Sequence, residues 1–229
     1  MVLVNGWKLS AEALGTLNFD AAADRLYSAA IPTSTTSFSA CWWVRRKSGN
    51  GSGAIIFFEL DGAGYTAAFG TNSQAITLYN GGGGFVRPFG NGPTMTVDKW
   101  YFVAFVATAA TTGAFYWGDE TTGVASIGSG ARGFTLSTLS ATSIGASAYG
   151  FAPVVDMGRV RIWNAQLTLA ELETERLSPN LASRTTNLSA DWQLKDGATK
   201  LVDSSGNANS LTAAGVGPWT DVASAPNPV

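Results

Sequence analysis

The chain has 229 residues, 45% of them hydrophobic and only 13% charged, with a formal net charge of −2, one cysteine and no histidine. That balance supplies a sizeable core and argues against intrinsic disorder. It also argues against a nucleic-acid track, because the one basic cluster is Arg45-Arg46-Lys47.

At the N-terminus, Met1-Val2-Leu3-Val4 is cut short by Asn5-Gly6, without the basic region and apolar stretch of a signal peptide. The richest apolar run, residues 100–110, is too short to cross a bilayer as a helix. The expectation is a chain with neither a standard export signal nor membrane insertion. Beyond these residues, short apolar runs alternate with Gly, Ser, Thr and Asn clusters, which reads as strands and turns. Strands are predicted over residues 16–19, 38–46, 54–60, 65–69, 75–79, 101–107, 114–117, 143–145, 156–163, 188–194 and 210–213. Asn80 with the glycines at 81–84 marks a hairpin tip.

Two strands carry further information. Trp100, Phe102, Ala104 and Val106 alternate with Tyr101, Val103, Phe105 and Ala107, so both faces are apolar. Such a strand packs on a second sheet on one side and is covered on the other by loops or another subunit. Arg159-Val160-Arg161-Ile162 alternates polar with apolar, as a half-exposed strand does. One helix is signalled by Thr168-Leu169-Ala170-Glu171, a capping box, with Leu167 and Leu172 at the staple positions. It should run over 169–176 and end before Ser178-Pro179. No fixed-period repeat or linker divides the chain, so residues 1–229 are expected to form a single all-β domain. Its architecture would be a two-layer antiparallel β-sandwich with that one short helix.

The segment Gly158-Arg159-Val160-Arg161-Ile162-Trp163-Asn164, followed by Leu167-Thr168 and the helix, resembles the last long strand and helix of a laminin-G-like or pentraxin-like domain. The likeness continues in order. Leu17-Asn18-Phe19-Asp20 to Leu26, Phe38-Ser39-Ala40-Cys41-Trp42-Trp43-Val44, Ile55-Ile56-Phe57-Phe58 with Gly64 to Phe69, Asp98-Lys99-Trp100-Tyr101 and Ala114-Phe115-Tyr116-Trp117 resemble its successive strands. The resemblance implies a jelly roll of the concanavalin-A-like superfamily. Ala190-Asp191-Trp192-Gln193-Leu194 with Asp203-Ser204-Ser205-Gly206-Asn207 resembles what often opens such domains, yet here it comes last. Adjacent termini make circular permutation inexpensive, so the segment 186–229 is expected to complete the same sandwich.

That superfamily includes glycanases. Without histidine the chain lacks Ser-His and Cys-His nucleophile activation, and Cys41 sits in an apolar strand where a thiol is inert. Glu59 and Asp61 share a strand face and could form a carboxylate pair. The third acid of the related glucanases is missing, because Gly62, Ala63 and Gly64 follow, so no catalytic residue is assigned. Pentraxin-like relatives hold calcium through acids before the last long strand, whereas this chain has Ala146-Ser147-Ala148-Tyr149-Gly150. Asp119-Glu120 and Asp203 read better as self-capping turns. Neither metal nor cofactor is expected.

Trp42, Trp100, Trp117 and Trp192 fall in registers where burial accounts for them. Trp7, Trp219, Tyr79, Phe85, Tyr149 and Phe151 lie in or beside loops. Trp163 shares a face with Arg159 and Arg161, which could stack on it, and this face is the first candidate contact surface. Tyr149, Phe151, Tyr79 and Phe85 are secondary ligand-binding candidates. The expected function is a non-catalytic surface protein of a larger assembly, such as a bacteriophage decoration, tail or fibre component at the virion surface. Its partners would be other subunits, in a particle or a homo-oligomer, and cell-surface glycan. A free carbohydrate-binding lectin is the alternative, and a glycan hydrolase stands last.

Overall fold

Two antiparallel sheets hold the strands of the computed structural model, which describes residues 17–19, 25–28, 31, 36–47, 55–60, 67–72, 75–79, 87–131, 142–145, 154–178, 181–194 and 201–214. In chain order they are β1 (Leu17–Phe19), β2 (Arg25–Tyr27), β3 (Phe38–Arg46), β4 (Ile55–Leu60), β5 (Ala67–Asn72), β6 (Ala75–Tyr79) and β7 (Asn91–Thr94). Then follow β8 (Trp100–Ala107), β9 (Thr112–Asp119), β10 (Ala125–Ala131), β11 (Thr142–Gly145), β12 (Val155–Trp163), α1 (Leu169–Leu177), β13 (Leu188–Trp192) and β14 (Thr212–Ala214). The first sheet runs β1-β12-β3-β8-β9-β10, with β13 also on β12. The second runs β14-β2-β11-β4-β5-β6-β7. This is the all-β, two-layer antiparallel sandwich with one short helix that the sequence predicts.

Period-two alternation sorts β3 and β8 into two cores. Phe38, Ala40, Trp42 and Val44, with Tyr101, Val103, Phe105 and Ala107, face the space between the sheets and meet Ile76, Leu78 and Ile144 there. Cys41 and Trp43, with Trp100, Phe102, Ala104 and Val106, face outward into a second cluster. Leu167 and Leu172 close that cluster, so helix α1 is the cover that an apolar outer face demands. Each buried tryptophan removes roughly 150–250 Å² from water, about 4–6 kcal/mol of transfer free energy at ~25 cal/mol/Å².

Helix α1 begins as its capping box predicts. Thr168 Oγ1 accepts from the Glu171 amide at 3.2 Å, and Glu171 accepts from the Thr168 amide at 2.7 Å. The C-terminal segment contributes to both sheets. β13 lies along the second half of β12, from Val160 to Trp163, while β1 lies along its first half, from Val155 to Met157. β14 pairs with β2.

Three strands go beyond the predicted set. β7 and β10 read as turn-like sequence, Asn-Gly-Pro-Thr and Ala-Ser-Ile-Gly-Ser-Gly-Ala. Both are sheet edges, and their glycines let the sheets approach. A Cβ on Gly92 would sit 2.6 Å from Ile127, and one on Gly128 would sit 3.0 Å from the Phe89 carbonyl oxygen. β2 is three residues long, too short for alternation to register. β12 also corrects an expectation: it is buried along its whole length rather than half-exposed. The predicted hairpin tip at 80–84 lies outside the described residues.

Candidate functional site

Arg159, Arg161 and Trp163 share one face of β12, but that face is closed. Trp163 is 0% exposed, Arg161 2% and Arg159 8%, which corrects the expectation of an open contact surface. The cause is α1 and the segment after it. Glu175 of α1 pairs with Arg161 and also accepts from the Ser183 amide. Arg161 donates to the Leu181 carbonyl at 3.2 Å, and Trp163 Nε1 donates to the Arg184 carbonyl at 3.0 Å. Asp191 of β13 accepts from Arg159 Nε at 2.6 Å and Nη2, and its Oδ1 lies 3.3 Å from Arg161 Nε. Two guanidiniums and two carboxylates therefore balance each other out of water, the arrangement that buried charge requires. Between them lies a cavity of about 10 Å³ lined by Cys41, Trp43, Phe102, Arg159, Arg161 and Glu175. It has room for about one water molecule. Burial, reinforced by Glu175 and Asp191 against the opposing arginines, pushes the Cys41 thiol well above its ordinary range.

Of the remaining ligand-binding candidates, only the backbone of Tyr79 lies among the described residues. Tyr79 ends β6, where its backbone pairs with Ala68. Its side chain lies outside the described residues, as do Phe85, Tyr149, Phe151, Trp7, Trp219, Asp61, the 146–150 loop and the side chain of Glu59. Among the described residues, no group of three or more Asp, Glu, Cys or His is placed to hold a metal ion.

Two acids considered for cations organise turns. Asp119 Oδ1 accepts from the Thr121 and Thr122 amides at 2.8 and 2.7 Å, and Oδ2 pairs with Lys99 at 2.7 Å. Burial alone would raise this carboxyl. Lys99 and the threonine donors outweigh burial and hold it well below the carboxylate range. Asp203 Oδ1 accepts from the Asp191 and Ser205 amides, both at 2.9 Å. Its Oδ2 accepts from Ser205 Oγ at 2.8 Å and from the Asn209 amide at 2.9 Å.

Beside the Asp203 turn opens a cleft of about 310 Å³, lined by Asn164, Asn187, Leu188, Ser189, Asn207 and Asn209. That volume falls within the range of small-molecule sites, and none of the six residues is charged. Asn164 follows β12, and its amide donates to the Asn187 carbonyl at 2.8 Å. Asn187 sits at φ 62°, in the left-handed region that asparagine tolerates, just before β13. The Asp203 turn presents the other wall. Asn207 Nδ2 donates to the Leu188 carbonyl at 2.7 Å and Asn209 Nδ2 to the Ser189 carbonyl at 2.8 Å. Trp192 Nε1 fixes the Asn209 carbonyl at 2.8 Å. Sequence reasoning identified the Asp203 turn but not the cleft. The signal was asparagine-rich turns before and after β13, brought together by the β12–β13 pairing and by the bonds from Asn207, Asn209 and Asp203 to β13.

The profile of the concanavalin A-like lectin/glucanases superfamily matches residues 20–173. No curated protein matches the chain in sequence. Among solved structures, a candidate carbohydrate-binding protein from Bacteroides ovatus is similar with a TM-score of 0.60 and 16% identity, over 93% of this chain. The chain spans 62% of that protein's length. A heptameric SAP-like pentraxin from Limulus polyphemus is similar with a TM-score of 0.54 and 10% identity, over 87% of this chain and 94% of the pentraxin. Trypanosoma rangeli sialidase follows at 0.53 and 16%, over 74% of this chain and 28% of the sialidase. At these identities the likeness is one of fold.

Proposed function

The chain belongs to the concanavalin A-like lectin/glucanases superfamily, and on that premise we propose that it is a non-catalytic glycan-recognition protein displayed on a larger assembly. The observation that carries this reading is the cleft lined by uncharged described residues, where the Asn207 and Asn209 side-chain amides are anchored on backbone carbonyls. Pre-anchored amides suit sugar hydroxyls, because they bind without first losing rotamer freedom. The acids near the cleft support a non-catalytic role. Asp191 is tied to arginines and Asp203 to four donors, so the oxygens of both are engaged in holding the fold.

The described lining has no aromatic platform, so a single cleft should bind weakly. Many copies on one particle would make adhesion tight through avidity. This favours a surface component, which we place on a virion as a bacteriophage decoration, tail or fibre protein. Within the superfamily we assign the chain to the laminin-G-like and pentraxin-like branch. The last long strand followed by a capped helix supports that assignment.

The test is a glycan array probed with the full chain, monomeric and as a multivalent display, beside Asn209→Ala. Binding that strengthens on display and falls in the variant supports the reading. Release of reducing ends from a bound glycan, or binding indifferent to display, overturns it.

A further inference from the structure

The hydrogen-bond polarity of the cleft specifies what it takes. Backbone carbonyls can only accept, so wherever an asparagine faces one its nitrogen must point there and its oxygen away. Asn207 directs Nδ2 at the Leu188 carbonyl and, at 3.3 Å, the Ser189 carbonyl; Asn209 directs Nδ2 at the Ser189 carbonyl. The Ser189 carbonyl also receives Ser205 Oγ at 3.3 Å. Asn207 therefore spends its amide donors within the protein, while Asn209 spends one of its two. The Asn207 and Asn209 Oδ1 acceptors, the second Asn209 N–H and the Asn164, Asn187 and Ser189 side chains are the neutral polar groups of the described lining. Among the described residues, no lysine or arginine lines the cleft. With no carboxylate among the described lining residues, a hard divalent cation would lack compensating charge there.

We propose, resting on the glycan reading above, that the cleft selects neutral, hydroxyl-donating saccharides and rejects acidic ones. A sugar hydroxyl donates to Oδ1 and in turn accepts from ligand-side water or from a neighbouring hydroxyl. A carboxylate, sulfate or phosphate presents only acceptors. Among the described lining residues it would find no cation to offset its lost hydration.

Saturation-transfer NMR on the full chain tests this with two probe sets: cellotriose, maltotriose and mannotriose as neutral glycans, and 3′-sialyllactose and trigalacturonate as acidic ones. Asn209→Ala removes one acceptor. Asn187→Gly removes the opposite amide while keeping the φ 62° backbone accessible, so folding is safeguarded. The expected result is signal from at least one neutral glycan, at least tenfold weaker signal from the acidic ones, and at least a threefold loss in each variant. Acidic glycans that bind as well as neutral ones, with loss in the variants, would overturn the selectivity and leave glycan recognition standing. Binding unchanged in both variants would remove the cleft as the site. Silence from every probe would count against both readings.

Discussion

Arg161 of β12 and Glu175 of α1 form an ion pair with side chains 2% and 1% exposed, so the helix is fastened to the sheet by charges that water does not reach. Removing one partner strands the other in low dielectric. Glu175→Ala should destabilise the fold by about 3–5 kcal/mol, towards the lower figure because Asp191 also faces Arg161. The double replacement Arg161→Met with Glu175→Leu should recover most of that loss, since desolvation offsets much of the pair's attraction. Urea unfolding followed by tryptophan fluorescence measures both. A double variant no more stable than Glu175→Ala would show that the pair itself, not the stranded charge, sets the cost.

This pair also explains what could and could not be read from residue order. Strand positions follow from alternation, and Trp42 and Trp43, adjacent in sequence, enter different cores because period two sends them to opposite faces. The helix was legible in Thr168 and Glu171 because a capping box is local. The fate of Arg159 and Arg161 was not. Their alternation with Val160 and Ile162 is the pattern of a solvent-facing strand, and it turns inward only because Glu175 and Asp191 arrive from 14 and 30 residues further along the chain. The cleft has the same character: Asn164 and Asn209 sit on separate turns, and they become neighbours through the β12–β13 register together with the bonds that tie the Asp203 turn to β13.

Asp119 gives the fold an acid-sensitive point. Its folded carboxyl titrates below its ordinary value of 3.8, so its contribution is present above that pH and is lost as pH falls further. Asp119→Ala should cost about 1–3 kcal/mol at pH 7, because the Thr121 and Thr122 amides lose their acceptor. The gap between variant and wild type should narrow as pH falls below 3.8. A gap that stays constant from pH 7 to pH 2.5 would contradict the assignment.

Cys41 works in the opposite direction. Its thiol is raised in the folded chain, while the unfolded thiol ionises near 9.0. Below that pH both states hold the proton and the difference is nil. Above it the unfolded state releases the proton and is favoured, so stability declines as pH rises. Denaturant midpoints at pH 8 and pH 10 should fall less in Cys41→Ala than in the wild type. The native thiol should also resist an aromatic disulfide reagent at pH 8 and react at once in denaturant. Rapid labelling of the native chain would show that the layer under α1 opens to solvent.

Asp203 separates positioning from stability. Its two oxygens receive four donors, among them the Asn209 amide, so it sets where Asn209 meets the cleft. Asp203→Asn replaces one acceptor with a donor facing other donors, and should cost about 1–3 kcal/mol. Thr168→Ala, at the N-cap of α1, should cost about 0.5–2 kcal/mol at a residue that is not among those lining the cleft. Two variants of comparable stability should thus differ in ligand signal, with saturation transfer from a neutral trisaccharide falling in Asp203→Asn and persisting in Thr168→Ala. Equal losses at matched folded fraction would mean that the turn supports the fold as a whole rather than the wall of the cleft.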